Sequence, residues 1–246
     1  MALRLTNDNG LIRLLGDNTP ENIALSPGQL ANIPGGVWVL GGNDTVIGSA
    51  DSELILGNEG QDSISGGAGN DTLIGGKDKD FVDGGIGNDL VRGDLDADIV
   101  RGGDGNDSLF GGRGTDQLFG DAGDDFLSGD RDNDTLTGGL GRDTFVLSTG
   151  GGLDVITDFE KGIDLIQLPA DLNFDAISIQ SIGSNAVITI KSTSEQLAQL
   201  NNVQGSSITR ANFAGSGVQA EPSPFEPTLP SAPSIPGIPV PSDISF

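Results

Sequence analysis

A nine-residue period runs twelve times through residues 39–146, and few folds can accommodate it. Its marker is an acid: Asp44, Glu53, Asp62, Asp71, Asp80, Asp89, Asp98, Asp107, Asp116, Asp125, Asp134 and Asp143. Gly stands five residues before each acid, with Val39 the one exception. An apolar residue stands two after each, from Val46 and Ile55 through Leu109 to Phe145. Three positions in phase at a fixed short period specify a solenoid, in which each coil buries its apolar face against the next.

A second period lies over the first. Units such as 66–71 (GGAGND) and 84–89 (GGIGND) alternate with units such as 75–80 (GGKDKD) and 93–98 (GDLDAD). The structural repeat is therefore eighteen residues, which predicts about six coils of two nonapeptides each. In each nonapeptide the six residues rich in Gly, Asp and Asn are expected to turn. The three around the apolar centre are expected to form a short strand facing a thin aliphatic core. Gly supplies positive φ without steric penalty. Where the second or fourth position is not Gly it is mostly Asn or Asp: Asn58, Asp78, Asp94, Asp96, Asp121, Asp130, Asp132 and Asp51. Asn and Asp are the other residues that best tolerate the left-handed conformation.

The acids carry the chemical signal. Stacked strands lie ~4.8 Å apart, so acids eighteen residues apart form two ladders of like charge. One ladder runs from Glu53 to Asp143 and the other from Asp44 to Asp134. Each adjacent pair repels by about 1 kcal/mol even in water. A hard divalent cation between rungs reverses that sign, and calcium takes carboxylate and carbonyl oxygens in flexible geometry. With no His and no Cys in the chain, zinc and copper lack their usual ligands. Asp78, Asp96 and Asp132 at position four, with Lys77 and Lys79 in one loop, predict that the Asp62 series binds more weakly than the Asp71 series.

The pattern G-G-x-G-x-D-x-U-x resembles the RTX (repeats-in-toxin) β-roll, the hemolysin-type calcium-binding repeat. The resemblance implies an all-β, right-handed parallel β-roll with Ca²⁺ held between turns eighteen residues apart. It implies ligands from the twelve acids and from main-chain carbonyls in the turns. Those carbonyls fall on Gly66, Gly67, Gly69, Gly84, Gly85, Gly87, Gly102, Gly103, Gly105, Gly111, Gly112, Gly114, Gly120, Gly123, Gly138, Gly139 and Gly141. Beyond the repeats, Asp154, Ile156, Asp158, Phe159, Gly162 and Asp164 are similar to the D-x-I-x-D-F-x-x-G-x-D segment that flanks RTX repeats. In calcium-dependent RTX proteases the acids matching Asp154 and Asp164 bind a further ion. The other reading is a hairpin with solvated carboxylates.

The expected organisation is an N-terminal cap over 1–38, the roll over 39–146, a β-rich C-terminal cap over 147–214 and an extended tail over 215–246. Residues 37–39 fall in phase with the strand positions, which places Trp38, the only Trp, over the open end of the stack. Ile177, Ile179 and Ile182, then 187–191, alternate as strands, while 194–200 has helix-forming residues. Eight of the twelve Pro lie at 222–241, a spacing that excludes helix and ladder. The last residues, Asp243, Ile244, Ser245 and Phe246, are similar to but shorter than the C-terminal signals read by type I exporters.

Charge and missing residue types narrow the function. A net charge of −24 excludes nucleic acid as a partner. Residues 39–146 hold 21 Asp and 2 Glu against 7 Lys or Arg, and roughly ten Ca²⁺ ions would offset that balance. Residues 1–15 have no apolar run of signal-peptide length, and no stretch is long enough to span a membrane. Without His there is no H-E-x-x-H motif and no Ser-His-Asp triad, and without Cys there is no thiol nucleophile. The expectation is a non-enzymatic, calcium-binding structural protein, secreted without an N-terminal signal peptide to the exterior or the cell surface, whose roll folds on calcium. The alternative is a module that docks a partner enzyme or cell-surface glycan. It would use the apolar flank positions of the Asp71-side sheet: Leu54, Leu56, Ile74, Leu90, Phe110, Phe126 and Val146. The opposite sheet has only Ile47, Phe81, Ile99 and Phe119. Such a face calls for a cover, either a terminal segment of the chain or a partner.

Overall fold

The computed structural model describes residues 4–8, 11–30 and 36–214, with side chains from residue 14 onward. The Pro-rich segment and the chain's last residues, Asp243 to Phe246, lie outside the described residues. Backbone pairing follows the eighteen-residue period directly. Val91 pairs with Leu73 on one side and Leu109 on the other, always in parallel register. Along the repeats successive strands fall alternately into two sheets, each of eleven strands among the described residues. Leu54–Glu59, Thr72–Lys77, Leu90–Leu95, Ser108–Arg113, Phe126–Arg131 and Thr144–Val146 stack in one. Thr45–Ile47, Ser63–Ala68, Phe81–Ile86, Ile99–Asp104, Gln117–Ala122 and Thr135–Leu140 stack in the other. The result is an all-β, mostly parallel β-roll of about seven coils, with no α-helix among the described residues.

The core is the predicted column. The twelve apolar residues two beyond the acids are fully buried, and Val37 joins them in phase. Strands are longer than the sequence predicts. Each full strand has six residues, because it runs on through the first three positions of the next nonapeptide. Only three residues turn. The reason is that a Gly at position one adds no side chain, so the backbone ladder continues across it. Asn58, Asp78, Asp94, Asp96, Asp121, Asp130 and Asp132 all take positive φ, between 69° and 85°, as their residue types predict; Asp51 does not.

The stack continues past both ends of the repeats. At the N-terminal end Asn22–Ala24 pairs in parallel with Thr45–Ile47, and Leu11–Leu15 pairs with Val37–Trp38. Trp38 is thus buried between strands rather than lying over an open end. At the other end Asp154–Ile156 and Leu165–Gln167 add a further parallel coil. Residues 194–200, read as helix-forming, contain instead the strand Gln196–Leu200. Two open edges outbid local propensity there: Asp154–Ile156 takes it in parallel and Asn185–Ile190 antiparallel, burying Leu197, Ala198 and Leu200. The two predicted strands form as Ile177–Ile182 and Asn185–Ile190, paired antiparallel.

The seven apolar flank residues of the Asp71-side sheet are half-buried or buried, and Phe110 and Phe126 pack ring to ring at 5.9 Å. The exposed large side chains include Ile47, Phe81 and Ile99, all on the opposite sheet.

Because each coil touches only its neighbours, a cavity in mid-stack cannot be shared out across a thick core. Leu109→Ala is expected to cost about 2–5 kcal/mol, the range for a fully buried Leu. Urea unfolding in excess calcium measures it; a cost below 1 kcal/mol, on the same scale, would contradict a packed central column.

Candidate metal centre

The three-residue turns set the acids. Each carboxylate folds back toward its own turn and is buried; Asp71, Asp89, Asp107 and Asp116 are at most 3% exposed. Its Oδ1 accepts the backbone N–H of the acid one coil earlier. Glu53 N–H donates to Asp71, Asp71 to Asp89, Asp89 to Asp107, Asp107 to Asp125 and Asp125 to Asp143, at 2.7–3.0 Å. On the other edge Asp44 donates to Asp62, then Asp80, Asp98, Asp116 and Asp134 follow in turn at 2.8–2.9 Å. The predicted ladders are thus real chains of hydrogen bonds, one along each edge.

The second oxygen decides the chemistry. Oδ2 of Asp44, Asp62, Asp71, Asp80, Asp89, Asp98, Asp107, Asp116, Asp125, Asp134 and Asp143 is buried with no hydrogen-bond partner. Eleven like-charged orphan acceptors in a small protein are costly unless a proton or a cation fills them. The Gly five residues earlier is explained by the same atom. A Cβ at Gly84 or Gly102 would collide with Oδ2 of Asp89 or Asp107. The carbonyls of Gly84, Gly102 and Gly120 converge on the same points above Gly66, Gly84 and Gly102. Two acceptors with no donor between them fit a hard cation. Among the described residues no three acidic side chains gather into one cluster, so any ion here must draw on main-chain oxygens as well.

Residues 38–156 match, in overlapping blocks, the RTX calcium-binding nonapeptide repeat. This stretch of the chain belongs to the RTX calcium-binding repeat family. Among solved structures, the AlgE6R3 subunit of the Azotobacter vinelandii mannuronan C5-epimerase is 25% identical over 54% of this chain and 87% of its own, with a TM-score of 0.40. The extracellular lipase LipA of Serratia marcescens is 18% identical over 77% of this chain and 42% of its own, with a TM-score of 0.30. No curated protein sequence matches the chain significantly.

The two edges of the RTX roll differ. On the Asp71 edge, side-chain oxygens of Ser52, Asn70, Asn88, Asn106 and Asp124 accept the N–H one coil on, at 2.7–3.0 Å. This fifth-position ladder went unnoticed in the sequence, where Asn88 reads only as a turn residue. On the other edge only the end positions Asn43 and Asn133 make this bond, to the N–H of Gln61 and Leu153, and Lys79, Ala97 and Thr115 occupy the middle. There Asp78 and Asp96 accept the N–H of Gly60 and Asp78 at 3.3 Å instead. Lys77 does not face the ladder; it pairs with Glu59 at 2.7 Å on the surface.

The ends also depart from the repeat. Glu53 uses both oxygens on Ser49, so it leaves no orphan atom. Asp154 and Asp164 extend the two ladders, accepting from Asp134 at 3.2 Å and Asp143 at 3.1 Å. The second oxygen of Asp164 takes the Glu160 N–H at 2.7 Å. Asp158 accepts from both Gly138 and Gly139, at 3.0 and 2.9 Å. At the N-terminal end the sequence reading missed Glu21. Its N–H donates to Asp44 Oδ1 at 2.6 Å, so Asp44 is not the first rung. The available signal was Gly16 five residues before it and Ile23 two after; an offset of 23 rather than 18 residues hid it.

Burial drives the acids' protonation. Loss of solvent pushes Asp80, Asp98 and Asp134 up to about 8 and Asp62, Asp71, Asp107 and Asp143 to about 7. The N–H from the preceding rung opposes the rise, and neighbouring acids add to it. Asp116 and Asp125 rise only to about 6. In the unfolded chain these carboxyls ionise near pH ~4. Between that pH and the raised values the folded, metal-free roll holds protons that the unfolded chain has released. Its stability therefore falls as pH rises through the window from ~4 to ~8. In chelator, the strand signal and melting temperature should increase on going from pH 8 to pH 5.5, and the calcium midpoint should move to higher concentration. Circular dichroism melts across that range test the sign; a metal-free melting temperature that rises with pH would refute it.

Proposed function

We propose that the RTX roll folds on binding calcium outside the cell, and that the protein is a secreted structural element rather than a catalyst. The supporting observation is the row of eleven buried, unpartnered carboxylate oxygens along two edges. The residues that would hold the ions are Asp62, Asp71, Asp80, Asp89, Asp98, Asp107, Asp116, Asp125, Asp134 and Asp143, with Asp44 and Glu53 toward the N-terminal end of the ladders. The glycine carbonyls between successive rungs complete them, and Asp154 and Asp164 close the C-terminal end. Bound Ca²⁺ supplies positive charge with a high, flexible oxygen coordination number. Everything else is supplied by the chain. Glycines keep the space open, ladder N–H groups aim one oxygen, and the aliphatic column fixes the spacing.

The same coupling suits export. A chain without calcium carries its acids unpaired and has no disulfide to hold it, so it can be threaded unfolded and close up where calcium is abundant. The acids share one kind of environment, so none is set apart as a catalytic acid or base. A docking role would draw instead on an exposed face, and Ile47, Phe81 and Ile99 on the second sheet are its available contacts.

Full-length protein in chelator should lose most of its strand signal and regain it at about 10⁻⁴–10⁻³ M Ca²⁺, the range of extracellular modules. A spectrum that ignores chelator defeats the proposal. Within the ladder, Asp89 serves two neighbours while Glu53 has its oxygens occupied by Ser49. Asp89→Ala should therefore shift the calcium midpoint several-fold further than Glu53→Ala, although each removes one charge. Equal shifts would show that the rungs act independently.

A further inference from the structure

The segment ahead of the matched repeats contains a hidden nonapeptide. Residues 16–24 read GDNTPENIA, with Gly16, Glu21 and Ile23 at the first, sixth and eighth positions. The structure treats it as one. Asn22–Ala24 joins the second sheet beside Thr45–Ile47, and Ile23 enters the core. Glu21 N–H donates to Asp44 Oδ1 at 2.6 Å, and Glu21 carbonyl accepts from Thr45 at 2.9 Å, as ladder acids do throughout the roll.

Glu21 differs from Glu53, the other Glu rung. One of its oxygens accepts the Asp17 N–H at 3.0 Å. The other, Oε2, is buried with no partner, in a side chain only 6% exposed. The facing rung, Asp44, is 1% exposed and its Oδ2 is equally unpartnered. Gly16 has the same role as the first glycine of each later unit, since a Cβ there would collide with Glu21 Oε2. The turn is also rich in oxygen: the Thr19 carbonyl lies 3.1 Å from where a Cβ on Gly42 would stand.

We propose that Glu21 and Asp44 hold one further divalent cation, of the calcium class, which joins the N-terminal segment to the roll. This rests on the calcium reading of the roll, and it adds a ligand, Glu21, that lies outside residues 38–156. Its consequence is that order in residues 14–24 depends on calcium through Glu21. Among the described residues the strand pairings there are short: that with Val37–Trp38 spans two residues, and that with Thr45–Ile47 three.

The test counts ions. Native mass spectrometry of the full chain at saturating Ca²⁺ should show Glu21→Gln carrying one ion fewer than the parent, and Gly16→Ala likewise. Trp38 reports whether the end coil has formed, because its carbonyl accepts the Gly16 N–H at 2.8 Å and it is the only Trp. Its emission should shift to the blue with calcium in the parent, and at higher calcium in Glu21→Gln. Crystals of the unmutated protein grown with calcium provide a check that needs no variant. Anomalous density is expected between Glu21 and Asp44. Ions along the roll with none between these two residues, or equal ion counts in parent and variant, overturn this site and leave the proposed function standing. A parent that takes up no calcium overturns both.

Discussion

One carboxylate, hydrogen-bonded through one oxygen and bare at the other, repeats along both edges of this molecule and sets the terms for the rest. Its Oδ1 takes the N–H of the previous rung, which fixes the distance between coils and the direction of the acid. Its Oδ2 occupies the space where a side chain at position one would be, so that position must be Gly. The Gly in turn lets the strand run on into the next unit, which lengthens the backbone ladder from three residues to six. Turn, strand length and glycine content thus follow from one group's need for space.

The same group makes the fold conditional. A roll this thin buries about one apolar side chain per strand between its two sheets and has no disulfide. That burial has to offset both chain entropy and the desolvation of a row of negative charges. Either protons or cations must neutralise the row. The raised proton affinities of Asp80, Asp98 and Asp134 show how strongly the interior resists bare charge at neutral pH. Protons satisfy only one oxygen each. A cation between rungs would draw on carboxylates and carbonyls together, which is why metal rather than acid would suit a solenoid that must be cooperative along its length.

The roll was legible in the sequence because its determinants recur. The buried column, the left-handed Asn and Asp residues and the rungs from Asp62 to Asp143 all follow from position in the nonapeptide. What escaped were features set by context. Strand length depends on the neighbouring coil. Gln196–Leu200 looks helical in isolation and becomes a strand because two edges await it. Lys77 reads as a repulsive neighbour of the ladder, yet its long side chain reaches Glu59 in the previous coil. The fifth-position ladder of Asn70, Asn88 and Asn106 depends on side-chain direction, which spacing alone does not give.

Glu21 shows what kind of regularity the fold conserves. Its distance from Asp44 exceeds the coil length by five residues, so a search by period passes over it. The strands on either side, Asn22–Ala24 and Val37–Trp38, nonetheless keep their neighbours in the stack. Solenoids tolerate such insertions because a loop on the outside costs little closure entropy and breaks no stacking contact. A coil is therefore defined by which N–H reaches which carboxylate, not by how many residues separate them. By that criterion the ladder that holds Asp44 starts at Glu21, five residues after Gly16, and closes at Asp154, twenty residues after Asp134. Both end rungs are acids outside the strict period, and both meet the roll through the same backbone-to-carboxylate bond as every rung between them.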